Sequence, residues 1–190
     1  MSGLAVFLDR DGTLNEDPGY LGDPSSVVLY PGTGEALSLL KEKTNAKLIV
    51  ISNQSGIARG LITHDDVKKV NEKINELLSK DNVKIDTFYY CPYHPDFNSE
   101  DECRCRKPSP QLVMKAAEEN DVDMQKSYFV GDAVSDIECG WNSGIKTILV
   151  KTGYGLDSLS ILQKQNKFPS FVAENISDAC KIIINDFSGD

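Results

Sequence analysis

The chain has 190 residues, with 20 Lys and Arg against 29 Asp and Glu and a formal net charge of −9. Hydrophobic residues at 40% and charged residues at 26% suit a folded chain with a sizeable core and exclude a disordered one. The acidic balance disfavours nucleic acid as a partner, and the longest apolar runs, such as residues 48–51 and 145–150, are too short to span a bilayer.

In chain order, residues 4–8 read as a buried strand that ends abruptly at Asp9. Residues 33–43 read as a helix with Leu37 and Leu40 facing inward. Residues 47–51 form a second buried strand, followed by a polar, glycine-containing loop through Gly60. Thr63 is placed to N-cap a long helix, because Asp65 and Asp66 suit its positive end and Val67, Val70, Ile74, Leu77 and Leu78 keep helical spacing. Residues 85–90 are a third strand. Residues 91–110, with four prolines, are irregular. A helix over 111–120, a strand over 127–130, a short helix over 136–142 and a strand over 145–150 follow. The tail reads as one more helix–strand–helix unit over 158–165, 171–173 and 177–186. No repeat or linker interrupts the pattern, so residues 1–190 are expected to form a single domain. The short apolar run at the N-terminus lacks a basic flank, which does not match a signal peptide, and a cytoplasmic location is expected.

Strands alternating with helices predict an α/β fold: a doubly wound, mainly parallel sheet with helices on both faces. Such sheets bind ligands beyond the carboxyl ends of their strands. The polar clusters fall there. Asp9 follows the first strand, Ser52 the second, Cys91 the third and Gly131-Asp132 the fourth.

Asp9-Arg10-Asp11-Gly12-Thr13-Leu14-Asn15 is the most informative stretch. A carboxylate at a strand end can attack phosphorus if its charge is offset, and a Mg²⁺ shared with the substrate phosphate can offset it. A second carboxyl nearby can protonate the leaving oxygen and later activate water. An isolated Asp-x-Asp-Gly is equally a turn with solvated aspartates. The full string after an apolar strand resembles the first motif of the haloacid dehalogenase-like hydrolases. That resemblance implies three more motifs, each with a matching segment here. They are Ser52-Asn53-Gln54, Arg106-Lys107-Pro108 and Gly131-Asp132-Ala133-Val134-Ser135-Asp136. Taken singly, these read equally as a turn residue, a surface charge and helix-starting acids. Together they imply Asp9 as nucleophile, Asp11 as general acid and base, and Ser52 and Lys107 on the phosphoryl oxygens. They also imply Mg²⁺ held by Asp9, Asp132 and the backbone carbonyl of Asp11, with Asp136 supporting Lys107 or the metal.

Cys91, Cys103 and Cys105 fall within fifteen residues, while Cys139 and Cys180 stand alone. An odd number of cysteines argues against a disulfide framework. With His94 the three close cysteines make a standard tetrahedral zinc set, which would brace a zinc-binding loop insertion over residues 91–105 directly before Arg106-Lys107. Unrelated thiols are the plainer alternative. This loop, with Ser52 through Gly60, resembles the subgroup of heptose bisphosphate and histidinol-phosphate phosphatases. In that subgroup the zinc histidine is expected two residues after the first cysteine, a position held here by Tyr93.

The spacing between motifs leaves no room for a large cap domain, so short loops are expected to select substrate. Asp17, Gly19 and Tyr20, then Asn53, Gln54 and Ser55, are the candidate sugar contacts, and Arg106 the candidate for a second phosphate. Gly19-Tyr20 also reads as a turn with a packed aromatic, Arg59 as a surface charge and His64 as an exposed first-turn residue. The expected protein is a monomeric phosphatase of a small phosphorylated metabolite, most specifically of the 7-phosphate of heptose 1,7-bisphosphate, with no membrane partner. Histidinol phosphate as substrate, or a non-catalytic zinc-stabilised binding protein, are the competing readings.

Overall fold

The structure, a computed structural model, describes residues 3–189. Six strands form one parallel sheet: β1 (Ala5–Leu8), β2 (Lys47–Asn53), β3 (Thr87–Cys91), β4 (Tyr128–Gly131), β5 (Lys146–Val150) and β6 (Phe171–Ala173). Their order across the sheet is β3-β2-β1-β4-β5-β6. The chain winds outward from β1 to β3, returns to the centre at β4, and winds outward the other way. The reversal lies between β1 and β4, where a doubly wound sheet opens a crevice for ligand.

The alternation of side chains along each strand sends successive residues to opposite faces. Val6 and Leu8 of β1 join one core with Leu37 and Leu40 of α1 (Thr33–Thr44), Val70 and Ile74 of α2 (His64–Leu78), and Ala179 and Ile183 of α6 (Ile176–Ser188). Ala5 and Phe7 join the other with Val113 and Ala116 of α3 (Gln111–Glu119) and Cys139 of α4 (Val134–Asn142). The Phe7 and Phe129 rings stack there with centroids 6.5 Å apart. Leu162 of α5 (Gly155–Lys164) packs with Ile137 and Leu149 on the flank of this second layer. Burial on both faces is why the strands read as continuous apolar runs.

Thr63 caps α2 as expected. Its hydroxyl accepts the Asp66 N–H at 3.1 Å and its own N–H donates to the Asp66 carboxylate at 2.8 Å, a reciprocal box. The helix α4 starts two residues earlier than the expected 136–142. The Asp136 carboxylate turns back to accept the Ala133 N–H at 2.9 Å and satisfies the first turn. The irregular segment after β3 contains one 3-10 helix, Glu102–Cys105, and the Lys107–Pro108 peptide is cis. No helix among the described residues is long and apolar enough to cross a membrane.

Candidate active site

At the carboxyl end of the sheet lies a cleft of about 480 Å³. Its floor is the β1/β4 junction. The Asp9 N–H donates to the Val130 carbonyl at 2.9 Å, which extends the ladder one residue past β1 and fixes Asp9 beside the end of β4. Asp132 follows β4 directly. Its carboxylate accepts the Thr13 hydroxyl at 3.1 Å and the Tyr154 N–H at 2.8 Å. Two glycines make room for that carboxylate: a Cβ on Gly12 would stand 2.4 Å, and one on Gly153 2.2 Å, from Asp132 Oδ2, and both residues have positive φ.

Lys107 reaches into the same floor from the loop before α3. Its ammonium is 2.5 Å from Asp9 Oδ1, 2.6 Å from Asp136 Oδ1 and 2.8 Å from the Ile51 carbonyl, with the side chain only 3% exposed. Asn53 fixes the lysine's backbone, its amide oxygen accepting the Lys107 N–H at 3.0 Å. Burial alone would lower the lysine pKa, but Asp136 and Asp9 outweigh it and hold the ammonium form well above its usual range.

Asp9, Asp132 and Asp136 are all buried, and each offers a carboxylate oxygen within 4.8 Å of the others. Burial pushes Asp9 well up despite the opposing charge of Lys107, and the charges of Asp136 and Asp132 add to the rise. Burial and the Asp136 charge likewise push Asp132 up to about 7. Three buried carboxylates against one ammonium leave a local excess of negative charge. All the donors are hard oxygens, so the site fits Mg²⁺. Asp136 is already engaged by Lys107 and the Ala133 N–H, which leaves Asp9 and Asp132 as the side chains for the metal.

Asp11 stands outside that carboxylate group. Arg10, 1% exposed, wraps it with Nη2 2.7 Å and Nε 3.0 Å from its oxygens, and itself donates from Nη1 to the Asn71 side-chain amide oxygen at 3.1 Å. Asn15 and Gln54 donate to Asp11 at 2.9 and 2.8 Å. Burial would raise its pKa, but the Arg10 charge and these hydrogen bonds hold it below the usual carboxylate range. Gln54 also donates to the Ser52 hydroxyl oxygen at 2.6 Å, which leaves that hydroxyl's own hydrogen free to donate elsewhere.

Of the candidate substrate contacts, Asp17, Gly19, Tyr20, Ser55 and Arg106 line the cleft. Asn53 and Gln54 line it too; the Asn53 amide oxygen accepts the Lys107 N–H, and the Gln54 amide nitrogen donates to Ser52 and Asp11. Asp17 accepts the Gly19 N–H at 2.8 Å, and burial with the nearby Asp11 charge raises its pKa. Arg106 donates to the Tyr93 carbonyl at 3.3 Å. His64 is exposed and meets only the Tyr90 hydroxyl among the hydrogen bonds described.

Three contributors escaped the sequence reading. Arg10 looks like a solvated charge between two acids, and nothing in its spacing shows that it is buried. Thr13 lies within the first motif, but nothing local shows that its hydroxyl reaches Asp132. Tyr154 follows β5 and lines the cleft, and the rule of strand carboxyl ends is the sequence signal that points to it.

The expected zinc set is not assembled, which corrects the sequence reading. Cys91 ends β3 and Cys105 ends the 3-10 helix, and the two are joined in a disulfide with Cα atoms 5.4 Å apart. Cys103 is free and half-buried. His94 turns to Arg59, 3.1 Å away, and to Asp96 at 3.4 Å. Disulfide sulfurs carry no thiolate charge to give a metal, so two of the four donors are consumed and the residues as arranged do not fit zinc. The argument from an odd cysteine count also fails here, since one close pair bonds and three thiols remain.

A HAD-hydrolase-like family model matches residues 104–179. The chain is 40% identical over 187 residues to a D-glycero-D-manno-heptose-1,7-bisphosphate 7-phosphatase of Chlorobaculum tepidum, covering 94% of this chain and 92% of that one. It is 39% identical over 182 residues to the D-glycero-beta-D-manno-heptose-1,7-bisphosphate 7-phosphatase of Pasteurella multocida, covering 94% and 96%. Among solved structures it superposes with a TM-score of 0.85 on a D,D-heptose 1,7-bisphosphate phosphatase from B. bronchiseptica in complex with magnesium and phosphate. That match has 28% identity and covers 96% of this chain and 99% of that one.

Proposed function

The chain belongs to the haloacid dehalogenase-like hydrolases, and on that premise we propose a magnesium-dependent phosphatase that removes the 7-phosphate of D-glycero-D-manno-heptose 1,7-bisphosphate through a phospho-aspartate on Asp9. The observation that carries the reading is the convergence of Asp9, Asp132 and Lys107 on the floor of an open cleft with Ser52 and Asp11 on its walls.

In this reading an Asp9 oxygen attacks phosphorus and the bond from phosphorus to the sugar oxygen breaks. The leaving alkoxide takes a proton from the Asp11 carboxyl. Water then attacks the phosphorus, its proton passes to Asp11, and Asp9 is released with free phosphate. Lys107 stays protonated throughout and aims its charge at the phosphoryl oxygens, to which the Ser52 hydroxyl donates. Asp9 and Asp132, with the Asp11 carbonyl, would hold Mg²⁺, which when bound neutralises phosphoryl charge that would otherwise repel the carboxylate. Arg10 keeps Asp11 ionised in the free protein, the state needed to accept a proton from water. A phosphate dianion beside Asp11 disfavours that charge and so favours the protonated form needed in the first step.

Arg106 is the cation for the second phosphate, with Tyr20 and Asp17 toward the sugar. The reading takes the protein as a cytoplasmic monomer with one catalytic domain, since one chain supplies every group named. Phosphate release with Mg²⁺ from heptose 1,7-bisphosphate and from histidinol phosphate, measured side by side, tests the substrate. A strong preference for the bisphosphate is expected. Preference for histidinol phosphate would overturn the substrate and keep the chemistry.

A further inference from the structure

Three loops wall the cleft beyond β1, β2 and β3, and one side chain outside the lining touches two of them. Arg59 lies in the loop after β2. Its Nη2 is 3.1 Å from His94 Nε2 and 3.8 Å from Asp96. Its guanidinium carbon stands 5.1 Å from the ring centre of Phe97 and 6.0 Å from that of Tyr20. One planar cation is thus shared between the loop after β1 and the loop after β3. The same short segment makes two more ties. The Ala58 N–H donates to the Pro92 carbonyl at 3.2 Å, and Gly56 lies so close to Tyr20 that a Cβ there would stand 2.9 Å from the ring's Cδ1.

The plainer view of Arg59, a solvated surface charge, does not match these contacts. Its side chain is 28% exposed, and its Nε is buried without a hydrogen-bond partner in the protein. Arginine stacked on aromatic rings is attracted by their faces, and its planar fork fixes direction in a way lysine's ammonium does not.

We propose that Arg59 is a positioning residue for substrate selection: it braces Tyr20 against the 93–98 segment and so sets the cleft mouth on the side of Arg106. The link to Arg106 runs through the backbone of Tyr93 and His94. Arg106 donates to the Tyr93 carbonyl, and Tyr93 immediately precedes the His94 that Arg59 holds. Charge acts in the same direction. Burial disfavours the charge on Arg106; Cys103 opposes this and the neighbouring Arg59 adds to it, so a second cation lies near Arg106 in an otherwise acidic protein. An anionic group entering beside Arg106 relieves that repulsion. None of the Arg59 contacts above is with Asp9, Asp11, Ser52 or Lys107, so the brace acts on binding and leaves the chemical step alone. The inference rests on the substrate reading above, because it assigns Arg59 to the part of the substrate that carries the second phosphate.

The test is steady-state kinetics of the full-length protein with Mg²⁺, comparing wild type with Arg59→Met and Arg59→Lys. The substrates are heptose 1,7-bisphosphate, the same sugar with the 7-phosphate alone, and p-nitrophenyl phosphate. Arg59→Met is expected to raise KM for the bisphosphate about tenfold, with kcat and the aryl ester changed by no more than about twofold. Arg59→Lys should fall between, since it keeps the charge but loses the fork. Hydrogen exchange should quicken in residues 17–20 and 93–98 of Arg59→Met. An equal loss on all three substrates, or unchanged exchange in both segments, overturns the brace. A wild-type enzyme indifferent to the second phosphate would sink the substrate reading instead, and the exchange comparison would still decide whether Arg59 braces the loops.

Discussion

At the floor of the cleft Asp9, Lys107, Asp132 and Asp136 are each less than a tenth exposed, and Lys107 holds two of the carboxylates at 2.5 and 2.6 Å. At the rim Tyr20 is 48% and Tyr154 60% exposed, and the Arg106 side chain donates to the Tyr93 carbonyl at 3.3 Å. The floor groups come from the junction of two central strands and one buried lysine, and each is fixed by several partners at once. The rim groups come from three loops and a strand end, tied by longer and fewer contacts. Removing Lys107 from the floor therefore leaves buried carboxylates uncompensated, whereas removing a rim group mainly changes what the cleft accepts.

The largest expected effect is at the nucleophile. Asp9→Asn should abolish turnover, a fall of at least about 10⁴-fold in kcat, while circular dichroism shows the fold retained. Substantial remaining activity would remove Asp9 from its role. Lys107→Met should cost nearly as much activity and also lower the melting temperature. It leaves three buried carboxylates without their ammonium, so the loss should be greater at pH 8 than at pH 5, where protonation relieves the repulsion.

The metal-free wild type sharpens the same point. Asp132 has a folded-state pKa raised to about 7, so its contribution to stability is fully present below the unfolded value near 4 and is lost as pH rises through 7. Asp9 is raised in the same direction. Melting of the chelator-treated protein should therefore fall as pH rises from about 4 to 8, and Mg²⁺ should restore more stability at pH 8 than at pH 5. A metal response independent of pH would contradict the charge account of the floor.

Rim substitutions should be milder. Arg106→Ala is expected to raise KM for the bisphosphate by about 10- to 100-fold with little change for a monophosphate. The smallest effect concerns the loop after β3. Thiol titration of the denatured, unreduced protein should find three thiols, rising to five after reduction. Five without reduction, together with released zinc, would restore the tetrahedral site in place of the Cys91–Cys105 bond.

The same contrast governs what was legible beforehand. A strand buried on both faces must be a short apolar run, so β1, β2 and β4 could be read directly, and with them the positions of Asp9, Ser52 and Asp132. Lys107 could be read only through a motif, because nothing local shows that a lysine in a proline-rich loop is buried. Arg10 was illegible for the same reason: its burial depends on Asn71, sixty-one positions away. At the rim, spacing shows which residues are polar but not where they point, so the bonds from Asn53 to the Lys107 backbone and from Gln54 to Asp11 and Ser52 are not legible in the sequence. Cysteine spacing likewise does not fix pairing.

The phospho-aspartate itself can be located. Acid quench during turnover of the bisphosphate, then borohydride reduction, converts an aspartyl phosphate to homoserine. Trypsin cleavage after Arg10 yields the peptide of residues 1–10, in which Asp9 is the single acidic residue, while Asp11 falls in the next peptide. Homoserine at position 9, dependent on both substrate and Mg²⁺, is the result predicted; conversion at Asp11 or Asp132 with none at Asp9 would contradict the central claim.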